Sequence, residues 1–473
     1  MKPLLIIILL AVITGSHCFS QIFSSSLDTV PRGWTGPVFK LSAAYPKKLS
    51  KKQSRPWLQF NFKTQPEKYM NAVLQYFLEG NKSIDFVVQK NKTRKWYHAP
   101  SMSWQQPGRA YGREFIHGLT KERSSPAREL FPTQTNFIQN WAVGFYNAPG
   151  AYTFGKVWAD TNNLQTADVS FPEGTVTAKL LFTAASPEEV PYVDGSLAWT
   201  ANINKIAGGI TIRSPQTVRL LQVDIAVKDA RANAFTGWVF GTFAYHADAP
   251  GKTVWTKLVP AGLMWGNDPG KFKGEPLSET WINPAFITLF TFPNGDTMHT
   301  GFQGRLNGPV DNPGSSCMSC HASAQSPQFK PMIPSSNSTD NLNKFFRNVP
   351  SGEAFDGKPA SKSMDYSLQL SGGVAAALAN RNDHTKKTQP TAGEVKKIDY
   401  FITTVEDSAG PLPIHSWVPD TASVNKKVTA ASSPAPAKNK MALVLYCACV
   451  VPVFLLYRLF NNKPYRKTKQ MTG

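Results

Sequence analysis

The chain has 473 residues, of which 41% are hydrophobic and 17% charged, and a formal net charge of +20. This length is enough for two or three domains. The many aromatic residues and the 36 Pro and 33 Gly favour a β-rich globular protein and exclude a disordered one.

The first 20 residues are typical of a signal peptide. Lys2 supplies the positive charge, residues 4–13 form the apolar core, and Ser16 and Ser20 are small residues near a cleavage point. Cys18 adds the alternative of a lipid anchor, and an uncleaved N-terminal anchor is a second alternative. The segment predicts export, which makes nucleic acid an improbable partner.

Residues 21–302 are predicted to form a β-rich exported domain. Apolar residues at helical spacing predict one helix over 67–79. Strands are predicted at 176–183, 217–227 and 237–245, which are rich in β-branched and aromatic residues. Strands separated by turns at this spacing predict a sandwich or a barrel.

Two stretches of this region, 112–123 and 140–150, place charged side chains beside aromatic ones. Such stretches can line a substrate cleft or a partner surface, and the alternative is ordinary strand ends with surface ion pairs. No Ser–His–Asp spacing or acidic pair stands out. Whether the protein is an enzyme is therefore left open.

A second, smaller and mainly α-helical domain is predicted over 303–413. A capped helical turn is predicted at 338–347, a Leu- and Ala-rich helix at 366–381, and an amphipathic helix at 391–405. Residues 303–316, which are rich in Gly, Pro and Asn, are predicted to be loop.

The most informative motif is Cys317-Met318-Ser319-Cys320-His321, which holds the only cysteines of the predicted exported part. Cys-x-x-Cys-His is the attachment signature of c-type haem. The two thiols add across the two haem vinyl groups, and the adjacent histidine lies under the iron.

On these residues the region resembles the cytochrome c family, over about a quarter of the chain. The whole sequence resembles an uncharacterised group of bacterial membrane-anchored proteins with a cytochrome c domain. The resemblance implies one covalent haem c, attached through Cys317 and Cys320, with His321 as the proximal iron ligand. One feature departs from the family, because the loop at 303–316 replaces the helix that precedes the motif there.

The distal iron ligand is predicted to be Met364, about forty residues after His321, because methionine gives a potential suited to electron transfer. Met332, in a Pro-Met-Ile-Pro turn, is the next candidate, and an open position is another alternative. The remaining options are Met298, His299 and His384.

Two other sites use the same residues. A thiol–disulfide site also needs Cys-x-x-Cys, but in a strand-to-helix setting that the sequence here does not predict. A zinc site needs four ligands, and only scattered histidines can complete the set.

The C-terminal part is predicted to anchor the protein. Residues 414–440 read as a flexible linker and 441–460 as one transmembrane helix. The basic tail at 461–473 should stay in the cytoplasm, which places the large N-terminal part in the periplasm on the cytoplasmic (inner) membrane.

The predicted fold class is therefore multi-domain, with a β-rich region, a small cytochrome c-like domain and one transmembrane helix. The predicted function is electron transfer through the haem. The alternatives are a haem-dependent oxidoreductase and a gas-binding sensor. The basic cluster at 47–55 suggests an acidic redox partner or the membrane surface, with a solvated loop as the alternative.

Overall fold

The computed structural model describes residues 30–50, 52–102, 112–207 and 210–385. The predicted signal peptide, the amphipathic helix at 391–405, and everything predicted from 414 onward lie outside the described residues. All the described residues belong to one compact unit.

The described chain alternates between strands and short helices, joined by turns. The strands are β1 (Trp96–Tyr97), β2 (Thr120–Lys121), β3 (Asn140–Asn147), β4 (Val176–Thr183), β5 (Ala198–Ala207), β6 (Ile210–Lys228), β7 (Trp238–Tyr245), β8 (Leu258–Met264), β9 (Thr280–Ile282), β10 (Gln325–Ser326) and β11 (Lys362–Ser363). The helices are α1 (Pro66–Leu78), α2 (Ala148–Val157), α3 (Pro284–Leu289), α4 (Cys317–Ala322), α5 (Thr339–Phe345) and α6 (Leu368–Thr385).

A nine-stranded antiparallel sheet forms the centre of the molecule. Its order is β1-β3-β4-β6-β7-β8-β9, with β2 beside β3 and β5 beside β6. Strand β6 is 19 residues long, and it pairs with β5 along its first half and with β4 and β7 along its second. The three predicted strands are thus the central strands β4, β6 and β7.

The central strands of this sheet are buried on both faces. Successive side chains of a strand point to opposite faces, and here both sets belong to a hydrophobic core. On β3, Trp141, Val143 and Phe145 belong to one hydrophobic core. Ala142 and Tyr146 belong to a second core on the other face. The sheet is therefore the middle layer of the molecule.

Helix α1 covers the first face. Pro66 occupies its first turn, where a missing N–H costs nothing. Tyr69, Val73 and Phe77 recur at helical spacing and are completely buried against the sheet residues of the first core. The helix predicted over 67–79 is confirmed.

The second face is covered by α2, by α3 and by the segment that carries the cysteine motif. Met318, Phe345 and Leu370 share one core with Phe240 and Tyr146 of the sheet. Helix α5 begins where it was predicted, with the Ser338 side chain as its N-cap.

The predicted fold class is wrong. The motif segment is not a separate mainly α-helical, cytochrome c-like domain, since its apolar side chains complete the core of the sheet. Helices α4 and α5 have six and seven residues, too few to enclose a core of their own. The predicted sandwich or barrel is instead one antiparallel sheet with a different layer on each face. Nor does any helix within the described ranges have the length and apolar character to cross a bilayer.

A pair of leucines on α6 tests the shared core. Leu370 is completely buried and Leu378 is 41% exposed. We expect Leu370→Ala to destabilise the full chain by about 2–4 kcal/mol and Leu378→Ala by less than about 0.5 kcal/mol. Urea unfolding followed by tryptophan fluorescence, which reports the sheet, measures both. An unchanged sheet transition in Leu370→Ala would contradict the shared core.

Candidate functional site

Helix α4 is short, and its N-terminus is fixed by a capping box between Ser319 of the motif and Ser316, the residue just before the motif. The Ser319 amide donates to the Ser316 hydroxyl at 3.0 Å, and the Ser316 amide donates to the Ser319 hydroxyl at 2.9 Å. Met318 is completely buried in the core. Both residues between the cysteines therefore hold the helix in place.

His321 is a neutral imidazole with one nitrogen already committed. Its Nδ1 lies 2.7 Å from the carbonyl oxygen of Tyr366, so this nitrogen carries the proton and donates it. Burial lowers the pKa of His321 to about 4. Nε2 thus keeps its lone pair at neutral pH, and a carbonyl on the other ring nitrogen is the usual support of a metal-bound histidine.

The two cysteines are free thiols. Burial raises the pKa of Cys320 to about 11, and burial and then Asp311 raise that of Cys317 well above its ordinary value. Both thiols are therefore protonated at neutral pH. A thiol–disulfide site needs the opposite, a lowered pKa in electropositive surroundings, so the arrangement disfavours that alternative.

A cavity of about 480 Å³ lies beside His321, between the sheet and α6. This volume is within the range of small-molecule and cofactor sites. Its walls combine aromatic rings with small residues, and the ring of His321 lies 4.7 Å from that of Phe240. The walls include Gly144, Tyr146, Trp238, Phe240, Tyr366, Gly372, Ala375 and Ala376.

The cavity also has a charged lining, which the sheet supplies. Lys179 on β4 lies 3.0 Å from Glu122, and Asp224 on β6 accepts from Thr242 at 2.9 Å. Burial, and then Asp311, raise the pKa of Asp224 to about 7. The cavity therefore offers one half-buried carboxyl group that gains or loses a proton near neutral pH. Lys121, Arg123 and Lys330 also line it.

Of the three predicted haem-binding residues, the iron ligand His321 lines the cavity and the attachment residues Cys317 and Cys320 do not. Cys317 opens the same short helix, and its thiol donates to the side-chain oxygen of Asn307 at 3.7 Å. Cys320 is on the same short helix, one residue before His321. The structure thus brings the motif to the edge of the cavity.

Met364 is completely buried in the core and does not line the cavity; its amide donates to the Ala324 carbonyl at 2.9 Å. Met332 does line the cavity, and so does Met102, more than 200 residues upstream of the motif. Sequence reasoning missed Met102, because nothing in its local pattern announces the contact.

The other predicted iron ligands lie elsewhere. Met298 is buried in the core, and the ring of His299 is 3.2 Å from the Pro309 carbonyl. The side chain of His384 lies outside the described residues. Across the described ranges, no cluster of three or more His, Cys, Asp or Glu is arranged to hold a metal ion, so the zinc alternative gains no support.

The two stretches singled out as a possible cleft, 112–123 and 140–150, do meet at the cavity. The first contributes Lys121 and Arg123, and the second Gly144 and Tyr146. Arg123 is also paired with Glu129, so the ordinary ion pair of the alternative interpretation is present as well.

No protein-family model, no curated protein and no solved structure matches the chain. The resemblance to cytochromes c therefore rests on the motif and its surroundings alone.

The raised thiol pKa values predict slow alkylation. At pH 7, iodoacetamide should modify Cys320 in the native, haem-free chain about 100-fold more slowly than in urea, because the pKa moves from 9.0 to about 11. The rate should keep rising up to about pH 11. Peptide-resolved mass spectrometry measures both cysteines, and a rate that levels off below pH 8 would restore the thiol–disulfide interpretation.

Proposed function

We propose that this chain binds one haem c covalently and uses it for electron transfer. Cys317 and Cys320 are the attachment residues, and His321 is the axial iron ligand. The observation that carries the proposal is the state of His321. It is neutral, its Nδ1 is bound to a carbonyl, and it lines a cavity of cofactor size.

The cavity residues suit such a group. Tyr146, Trp238 and Phe240 provide flat apolar walls. Gly372 and Ala376 line the α6 side of the cavity, where their small side chains leave room for a planar group. Haem also carries two carboxylates, and Lys121, Arg123 and Lys330 in the lining are cations suited to them. The protonated thiols are the form that a vinyl group consumes, since each addition takes up both sulfur and hydrogen.

Bound there, haem would supply one-electron chemistry between ferrous and ferric iron. The chain's own residues would set its properties. The Tyr366 carbonyl orients His321 and raises its basicity, and the aromatic walls exclude water from one side of the site. A second iron ligand would come from Met332 or Met102, which line the cavity, or from the predicted Met364. The remaining alternative is that this iron position stays open.

The proposed setting is the periplasmic side of the inner membrane, with an acidic protein as redox partner. Lys47, Lys48 and Lys52 are exposed, whereas Arg55 is held by Glu173 at 3.8 Å. Three exposed cations close in sequence support a docking role. The anchor itself rests on the sequence alone.

The full chain, matured in a host that attaches haem, should give a c-type pyridine haemochrome spectrum. Cys317→Ala with Cys320→Ala should lose the covalent haem, because no thioether can form. Cys447→Ala with Cys449→Ala is the matched control, because it removes two cysteines outside the motif and keeps both attachment thiols, and it should retain the haem. A wild-type chain without covalent haem would refute the proposal.

One observation favours a haem-dependent oxidoreductase as the second candidate function. The Asp224 carboxyl, whose pKa is about 7, lines the cavity and can accept a proton there when a substrate gives up electrons. On this function, haem reduction by a small substrate should fall at least tenfold in Asp224→Asn, while reduction by dithionite stays unchanged. If no substrate in a stopped-flow screen reduces the haem, the oxidoreductase function is contradicted and electron transfer is the one function left.

A further inference from the structure

The backbone at Asp365 and Tyr366 is strained. Their φ angles are 44° and 66°, and both residues therefore lie in the left-handed region that non-glycine residues avoid. Such a conformation is unfavourable and persists only where the surroundings impose it. Two such residues in succession therefore need a specific cause.

The carboxylate of Asp365 is completely buried beside this backbone. It accepts from Lys228 Nζ at 2.8 Å, from Trp238 Nε1 at 3.0 Å and from the Phe171 amide at 2.7 Å. The hydroxyl of Ser351 donates to it at 2.9 Å. These donors come from two strands of the sheet and from two loops, and together with Asp365 we name them the carboxylate clamp.

Tyr366 is held from its other end as well. Its hydroxyl donates to the Val349 carbonyl at 2.6 Å, and its ring is buried. With the carboxylate fixed on one side and the phenol on the other, the peptide between Tyr366 and Ser367 has little freedom to rotate. Its carbonyl oxygen is the one that lies 2.7 Å from His321 Nδ1.

We propose that Asp365 is a positioning residue for His321. The carboxylate clamp holds the strained backbone that aims the Tyr366 carbonyl at Nδ1, and it thereby fixes the tautomer whose Nε2 is free to bind a metal. The inference deepens the proposed haem function and rests on it for its purpose. The geometric claim concerns the protein alone and is tested without haem.

The first experiment uses the full chain produced without haem attachment and labelled with ¹⁵N-histidine. Long-range ¹H–¹⁵N spectra report which ring nitrogen carries the proton, and His321→Gln assigns the signal. We expect His321 to be mainly protonated at Nδ1 in the wild type. In Asp365→Asn the Nε2-protonated form should become the major one, because the Tyr366 carbonyl is no longer held in place.

Asp268→Asn is the matched control. Asp268 is also buried, also has a positive φ of 48° and is also paired with a lysine, Lys271, at 3.1 Å. Its carboxylate partners lie in 271–280 and none of them contacts His321. It should cost stability without changing the tautomer. If Asp365→Asn fails to fold, Ser351→Ala removes a single donor from the clamp and should shift the tautomer ratio in the same direction by a smaller amount.

The second experiment measures the reduction potential of the haem-loaded chain. A weaker Nδ1 hydrogen bond makes His321 a poorer donor to ferric iron. The reduction potential should therefore rise in Asp365→Asn. It should also rise in Ser351→Ala, which weakens the clamp without changing the charge, and stay near the wild-type value in Asp268→Asn.

The outcomes separate the two proposals. An unchanged tautomer in a folded Asp365→Asn chain overturns the positioning role, whatever the haem content. A tautomer shift in a chain that never acquires covalent haem upholds the clamp and overturns the proposed function.

Discussion

Alternate burial along the central strands is the constraint on which the rest of the molecule depends. Strands β3, β4, β6 and β7 point one set of side chains at α1 and the other set at the motif segment. The first set is almost wholly apolar, whereas the second includes Lys179, Gln222 and Asp224. The sheet therefore has one face that only packs and one face that also carries polar groups beneath a covering layer. The candidate site lies on that second face.

The polar groups on this face compensate one another. Gln222 donates to Asp224 at 2.8 Å and to Asp311 at 2.9 Å, and so ties the sheet to the loop that precedes the motif. Lys179 adds a positive charge on the neighbouring strand. Because buried charges are costly unless they are paired, this network fixes how the covering segment sits on the sheet.

Local pattern was enough to predict α1, α5 and the three central strands, since each depends on periodicity or capping within about a dozen residues. It did not give the fold class. Period-two alternation identifies a strand, but it does not say whether the polar face meets water or another layer. Nor does this pattern reveal that the six-residue helix at the motif packs into a core formed with strands about a hundred residues earlier in the chain.

The same division holds for the candidate site. The chemistry of the motif named Cys317, Cys320 and His321 from their spacing. The hydrogen-bond partner of His321 could not be predicted from residue types. It is the backbone carbonyl of Tyr366, and every residue has such a carbonyl. Met102 and Asp224 reach the cavity only through strand pairing and packing, which sequence alone does not reveal.

The capping box of α4 has a consequence for how the protein is made. All nine strands of the sheet precede the motif segment in the chain, so the part of the second face that residues 306–377 cover lacks this layer until they have been synthesised. Once they have packed, the two thiols are partly enclosed, and Ser316 and Ser319 lock the helix that holds them. On the proposed function, haem attachment would have to reach both thiols, which are half-buried once this segment has packed, so attachment would have to precede the final packing of α4 on the sheet.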